Sequence, residues 1–112
     1  MREIKFRAWN VTQEGMVTNA NHLIDLEGLK GHKFELMQFT GLKDKKGKEI
    51  YEGDCFPYGY VEFDSGCFSL KVTKKNIHYD IGQSIYLCDF LAIFRKVRIV
   101  GNIYENPELL KR

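Results

Sequence analysis

Long apolar runs are missing from this 112-residue chain. No stretch approaches the roughly 18 apolar residues of a membrane-crossing helix, and the opening MREIKFRAWN is charged within three residues, unlike a signal peptide. These features predict a cytoplasmic protein with no membrane partner. Excess charge of one sign is missing too: 17 Lys and Arg face 15 Asp and Glu, a net +2 that does not by itself announce a polyanionic partner. Cysteine is sparse and odd in number, and Cys55, Cys67 and Cys88 form no CxxC pair. A disulfide framework is therefore not expected, and the apolar sequence around these residues predicts reduced core thiols. Repeats, low-complexity tracts and linker-like stretches are absent, so residues 1–112 are expected to form a single domain. What the chain has in plenty is aromatic area, with eight Phe, six Tyr and one Trp. A chain of this size buries roughly 65% of its unfolded surface, which these side chains can supply without staples.

Two-residue alternation is the main organising signal. REIKFRAW places Ile4, Phe6 and Ala8 on one face and Lys5, Arg7 and Trp9 on the other, predicting a strand over about 3–9 with Trp9 facing outward. From Asn10 to Lys33 the chain is polar and Gly-punctuated, with one apolar cluster at Leu23, Ile24, Leu26 and Leu29 that suits a short helix or packed loop. KFELMQFTG returns to alternation, and Asp44 to Gly47 carries turn chemistry. EIYEGDCF is a strand broken at Gly53-Asp54, where a bend of the kind used at barrel corners is expected. Tyr60–Phe63 and Cys67–Val72, joined by Asp64-Ser65-Gly66, predict a hairpin. A short helix is expected near 85–93, a late strand over about 97–104, and a closing helical turn over 107–111 with Asn106 at the N-cap and Pro107 at N1. The expected fold class is mainly β, a small barrel-like or rolled antiparallel sheet with short helices. The barrel-like portion spans about 34–72, completed by strand one and the late strand.

MREIKFRAWN, MQFTGLKDKKGKEIYEGD and VGNIYENPELL, in that order, together resemble the YopX family of phage and prophage proteins. VEFDSGCFSL resembles the family's following hairpin more loosely, and Cys55-Phe56-Pro57 departs from its usual aliphatic strand. The resemblance implies a mainly β fold and a mobile-element accessory protein acting inside a bacterial host. It transfers no catalytic or binding residue.

Enzymatic readings are weak, and no enzyme activity is expected. The three cysteines with His22, His32 or His78 could make a Cys3His zinc set, but the nearest cysteines lie twelve apart, whereas structural zinc takes two ligands from one tight knuckle. None of the thiols has a His or basic sequence neighbour that would activate it as a nucleophile. Lys45, Lys46 and Lys48 sit where a calcium loop needs oxygen ligands. Glu52, Asp54, Glu62 and Asp64 could cluster as paired carboxylates, although strand-end acids are mostly solvent-facing. Phosphate-loop, dinucleotide, GxSxG and HExxH motifs are lacking, and no cofactor is implied.

Binding readings are stronger. Lys43, Lys45, Lys46 and Lys48, then Lys71, Lys74 and Lys75, then Arg95, Lys96 and Arg98 form three basic groups, interleaved with Tyr51, Phe56, Tyr58 and Tyr60. Small barrels bind single strands by stacking bases on aromatics in a basic groove. Turn lysines also serve solubility, and the aromatics are needed for a core. Exposed aromatics of PYGY, or Trp9, would anchor a host or phage protein or a second copy in a homo-oligomer. The expectation is a non-catalytic macromolecule-binding module, protein-interacting or self-assembling, with single-stranded or duplex nucleic acid as the alternative partner.

Overall fold

Alternating, Gly-punctuated sequence of this kind folds into many short strands, and the computed structural model, which describes residues 4–18, 20 and 33–110, is mainly β. One sheet contains β1 (Phe6–Asn10), β2 (Gly15–Val17), β3 (Phe34–Lys43) and β4 (Glu49–Tyr51), in the order β2-β1-β3-β4. The second contains β5 (Asp54–Phe56), β6 (Gly59–Asp64), β7 (Cys67–Val72), β8 (Ser84–Tyr86) and β9 (Gly101–Asn102), in the order β8-β7-β6-β5-β9. Every pairing is antiparallel. The helix α1 (Leu87–Ile93) follows β8, and a 3-10 helix closes the described chain at Pro107–Leu110.

The predicted break at Gly53-Asp54 is the point where the chain leaves one sheet for the other. Gly53 has φ +85°, a region that an L side chain enters only with strain, and its backbone is held by both flanks. Its N–H donates to Val61 O and its C=O accepts from Ile103 N. The core packs Ile50 against Phe56, Val61, Leu70, Val72, Leu87 and Phe90, so α1 contributes Leu87 and Phe90 at helical spacing, with Leu91 and Phe94 half-buried beside them.

The 60–63 and 67–72 hairpin forms in the expected register, with Val61 opposite Leu70 and Phe63 opposite Phe68. The turn at Asp44 to Gly47 also forms, through Asp44 N–H to Lys48 O and Gly47 N–H to Asp44 O. The apolar cluster at Leu23, Ile24, Leu26 and Leu29 lies outside the described residues, as do Lys111 and Arg112 at the chain end.

Two expectations need correction. Strand one does not present Arg7 and Trp9 to solvent: Arg7 is buried, and Trp9 is half-buried with its ring stacked on Tyr104, 6.0 Å between centroids. A second sheet packs where one outer face was expected. The late strand shrinks to Gly101–Asn102, because residues 97–99 bond to the 44–45 turn and only from Val100 does the chain turn to β5. Val97 O accepts from Lys45 N–H, Ile99 N–H donates to the Asp44 carboxylate, and Val100 N–H donates to Cys55 O. At the closing helix Asn106 and Pro107 stand at the expected N-cap and N1 positions, with Asn106 O accepting from Leu109 N–H while its Oδ1 accepts from Asn102 N–H.

Candidate nucleic-acid interface

The Asp44 carboxylate organises the backbone behind the site. Oδ1 accepts from the N–H groups of Lys46 and Lys48, and Oδ2 accepts from Ile99 N–H, each at 2.9 Å. Burial acts to raise this carboxyl, but the three backbone donors and the Lys48 charge outweigh it and hold it below the ordinary aspartate value. One side chain thus clamps the lysine-rich turn against residues 97–99, and Lys45 N–H to Val97 O closes the same seam. Two basic groups separated by about fifty positions in the chain, Lys45-Lys46 and Arg95-Lys96-Arg98, meet along it.

The site itself is aromatic on one side. Tyr58 O accepts from the N–H groups of Thr73 and Lys74, which brings the end of the third basic group to the same place. The Tyr58 ring packs on Phe94 at 4.8 Å, and His78 meets Phe94 edge-on at 5.6 Å. Phe94 in turn contacts Phe90 at 5.0 Å, and Phe90 contacts Phe56 at 5.4 Å, so a chain of rings runs from the buried core to the surface. Beside these rings lies an open groove of about 650 Å³, with Pro57, Tyr58, Ile93, Phe94, Val97 and Val100 as its apolar lining. Arg95, Lys96 and Arg98 complete it, and none of the described residues lining it is acidic. Ile93 and Val100 are each 45% exposed there, an apolar surface ringed by cations.

Of the four aromatics named from the sequence, only Tyr58 stands at this groove. Phe56 is in the core, Tyr51 lies under the Arg7 guanidinium at 4.8 Å, and Tyr60 lines a separate cleft of about 190 Å³ between the sheets. Burial, with Glu62 nearby, pushes the Tyr60 hydroxyl above its ordinary value. Lys71 also points away from the convergence in register, paired across from Tyr60. Phe94 lines the groove and was not named among the interleaved aromatics, while His78, weighed from sequence only as a zinc ligand, touches the Phe94 ring without lining the groove. The available signal for Phe94 was its place at i+4 from Phe90 on the apolar helix face, directly before Arg95-Lys96.

The carboxylates do not assemble as a set. Glu52 and Glu62 share the small inter-sheet cleft, but the Glu52 Oε1 accepts from Gln38 N–H. Asp64 is exposed at a turn, and Asp54 is buried against Arg7. The cysteines separate as well. Cys55 is buried as expected, and burial beside Asp54 and Glu108 pushes its thiol up to about 11. Cys67 and Cys88 instead are exposed, a correction to the expected core thiols. Both line a second groove, of about 550 Å³, with Phe63, Phe68 and Tyr86. Cys67 follows a two-residue turn and Cys88 opens α1, where the apolar pattern of each segment is carried by its neighbours Phe68 and Leu87. His22 and His32 lie outside the described residues, and no three His, Cys, Asp or Glu side chains converge as metal ligands among the described residues.

Fold and site define a small two-sheet β protein with a basic, aromatic-floored groove at one edge. The chain belongs to the YopX family: the model of that family, described as YopX protein, matches residues 17–111. The crystal structure of protein EF1440 from Enterococcus faecalis is similar over 99% of this chain and 100% of that one, with a TM-score of 0.60 and 25% sequence identity. No curated protein matches the chain. No helix among the described residues is long and apolar enough to cross a membrane.

Proposed function

We propose that this protein is a non-catalytic, cytoplasmic accessory module of a phage or prophage that binds nucleic acid through the groove lined by Tyr58, Phe94, Arg95, Lys96 and Arg98, with the Lys45-Lys46 turn tied to the backbone beside it. The observation that carries the reading is the clamp at Asp44, which sets Lys45 and Lys46 beside Arg95, Lys96 and Arg98 where sequence separation alone would leave them apart. Clustered cations with no lining acid suit a phosphate backbone, and binding of that kind releases counterions and weakens with salt. A labelled single strand and a labelled duplex are titrated by anisotropy at low and moderate salt. With about five phosphates contacted on a single strand, affinity is expected to fall by about 100-fold between about 50 and 200 mM salt. Binding is expected to collapse in the Lys45→Glu, Lys46→Glu, Arg98→Glu triple variant. Absence of binding to either probe at the lower salt would remove the proposal.

A second reading, self-association or docking of a host or phage protein, is favoured by a different observation. Phe63 on β6 and Tyr86 on β8 are 51% and 59% exposed and share the 550 Å³ groove, and β8 is an edge strand with one side unpaired among the described residues. Light scattering of the full chain is expected to show a dimer or larger closed oligomer that Phe63→Ser with Tyr86→Ser converts to monomer. A monomer of the unaltered protein at high concentration would rule out the self-associating form.

A further inference from the structure

We propose that the groove formed by Pro57, Tyr58, Ile93, Phe94 and Val100 seats an unpaired base of single-stranded nucleic acid, with Arg95, Lys96 and Arg98 on the flanking phosphates. The inference rests on the nucleic-acid reading above and specifies which form of the polymer the site takes. Charge alone does not distinguish strands from duplex, since both carry phosphates. Shape and surface chemistry do. A reader of duplex bases needs a helix or ribbon that projects into a groove of about 12 Å. Here the nearest helix, α1, spends Leu87 and Phe90 on the core, and the surface beside it is concave.

The floor of that concavity is apolar and ring-bearing. Unpaired bases offer a flat π face to such surfaces, which bind them with little regard to sequence. A base already outside a helix enters without the unstacking cost that a paired base would incur. The groove, at about 650 Å³, falls within the about 300–1,000 Å³ of small-ligand clefts. Its platform is held in place beforehand, because the Tyr58 and Phe94 rings pack on each other and Phe94 packs in turn on the buried Phe90. Little side-chain freedom is left to lose on stacking. Arg95 and Arg98 are exposed at the rim, where a guanidinium can meet both phosphate and base face.

The test compares an oligothymidylate of about 12 nucleotides with an abasic strand of equal length and charge, and with a duplex, on the full chain. The base-bearing strand is expected to bind at least about fivefold more tightly than the abasic one, the size of effect that loss of one stacked base produces. Phe94→Leu, and independently Tyr58→Leu, are expected to erase that preference, so that base-bearing and abasic strands bind alike, with circular dichroism confirming the fold of each. Equal affinity for base-bearing and abasic strands would overturn the base seat and leave electrostatic binding standing. Preference for duplex would overturn it as well. Failure of every probe to bind would instead overturn the nucleic-acid reading itself.

Discussion

Arg7→Met is expected to destabilise the protein by about 3–5 kcal/mol, the range found when one partner of a buried ion pair is removed. Arg7 stands on β1 and Asp54 on β5, so the contact joins the two sheets. Arg7 NH2 donates to Asp54 Oδ1 at 2.6 Å and to Glu52 O at 3.3 Å, and Asp54 Oδ2 accepts from Tyr51 N–H at 2.8 Å. The two side chains are 10% and 1% exposed, so water does not replace a missing partner. Arg7 Nε is buried without a hydrogen-bond partner, which makes the pair costly to bury as well as costly to break. Replacing both partners, Arg7→Met with Asp54→Leu, is therefore expected to recover most of what either single change loses, giving strong coupling in a double-mutant cycle read by urea midpoints.

A pH dependence follows from the Asp54 carboxyl, which burial pushes above the ordinary aspartate value against the pull of Arg7 and the Tyr51 N–H. A raised carboxyl binds more protons in the folded state than in the unfolded one, so its contribution to stability falls as pH climbs from 3.8 through the folded value. Without the Arg7 charge the folded value rises further. The cost of Arg7→Met is thus expected to be smaller near pH 4 than near pH 7. An equal cost at both values, or a double variant no better than the singles, would contradict this account.

How much of this could be read from the chain depends on whether the cause was local. Turns and hairpins were legible because their determinants sit within a few residues. Asp44 and Gly47 fix one turn, and Asp64 to Gly66 another. The break at Gly53 was legible for the same reason, although nothing near it says that the two halves of EIYEGDCF enter different sheets. Alternation failed at Arg7 and Trp9 because a period-two pattern reports two faces without telling whether both are covered. Arg7 reads as an outward cation until Asp54, forty-seven positions later, is known to lie beneath it.

The candidate groove shows the same division. Its basic groups were visible as runs of Lys and Arg, but their convergence depends on Asp44 reaching Ile99 across fifty-five positions. Three side chains, Asn10, Asn76 and Asn102, hold loops in a related way, each accepting from two backbone N–H groups further along the chain. Asn and Asp at the start of a polar stretch were a readable cue for these loops. The acceptor role of Asp44 toward the distant 97–99 segment was not, because side chain to backbone bonds across the fold leave no periodic trace.

Gly59→Ala is expected to be among the most damaging single-methyl substitutions in the chain. Gly59 opens β6 and lies between Phe56 on β5 and Val72 on β7. A Cβ at this position would stand 2.1 Å from Lys71 O and 3.1 Å from Val72 Cα, so it meets backbone on a central ladder. A flexible side chain could swing aside, but the Lys71 carbonyl cannot move without carrying β7 away from β6. The Val61-Leu70 and Gly59-Val72 pairings and the bonds from Thr73 and Lys74 to Tyr58 O would be strained together. Overpacking of a well-filled site costs about 1–3 kcal/mol and sometimes more, and a clash with immovable backbone belongs at the top of that range or above it. Gly66→Ala supplies the contrast: it has φ +82° but nothing within 4 Å of the added carbon. Its cost is expected near the about 1–2 kcal/mol of a left-handed backbone alone. Urea unfolding of the two variants at matched slope separates them, and a Gly59→Ala midpoint equal to or above that of Gly66→Ala would show that β6 and β7 part more readily than their register requires. Because Tyr58 is the residue before Gly59, the same displacement is expected to disturb the Tyr58-Phe94 platform. Any nucleic-acid affinity is thus expected to fall in Gly59→Ala but not in Gly66→Ala, which lies at the far turn of the hairpin.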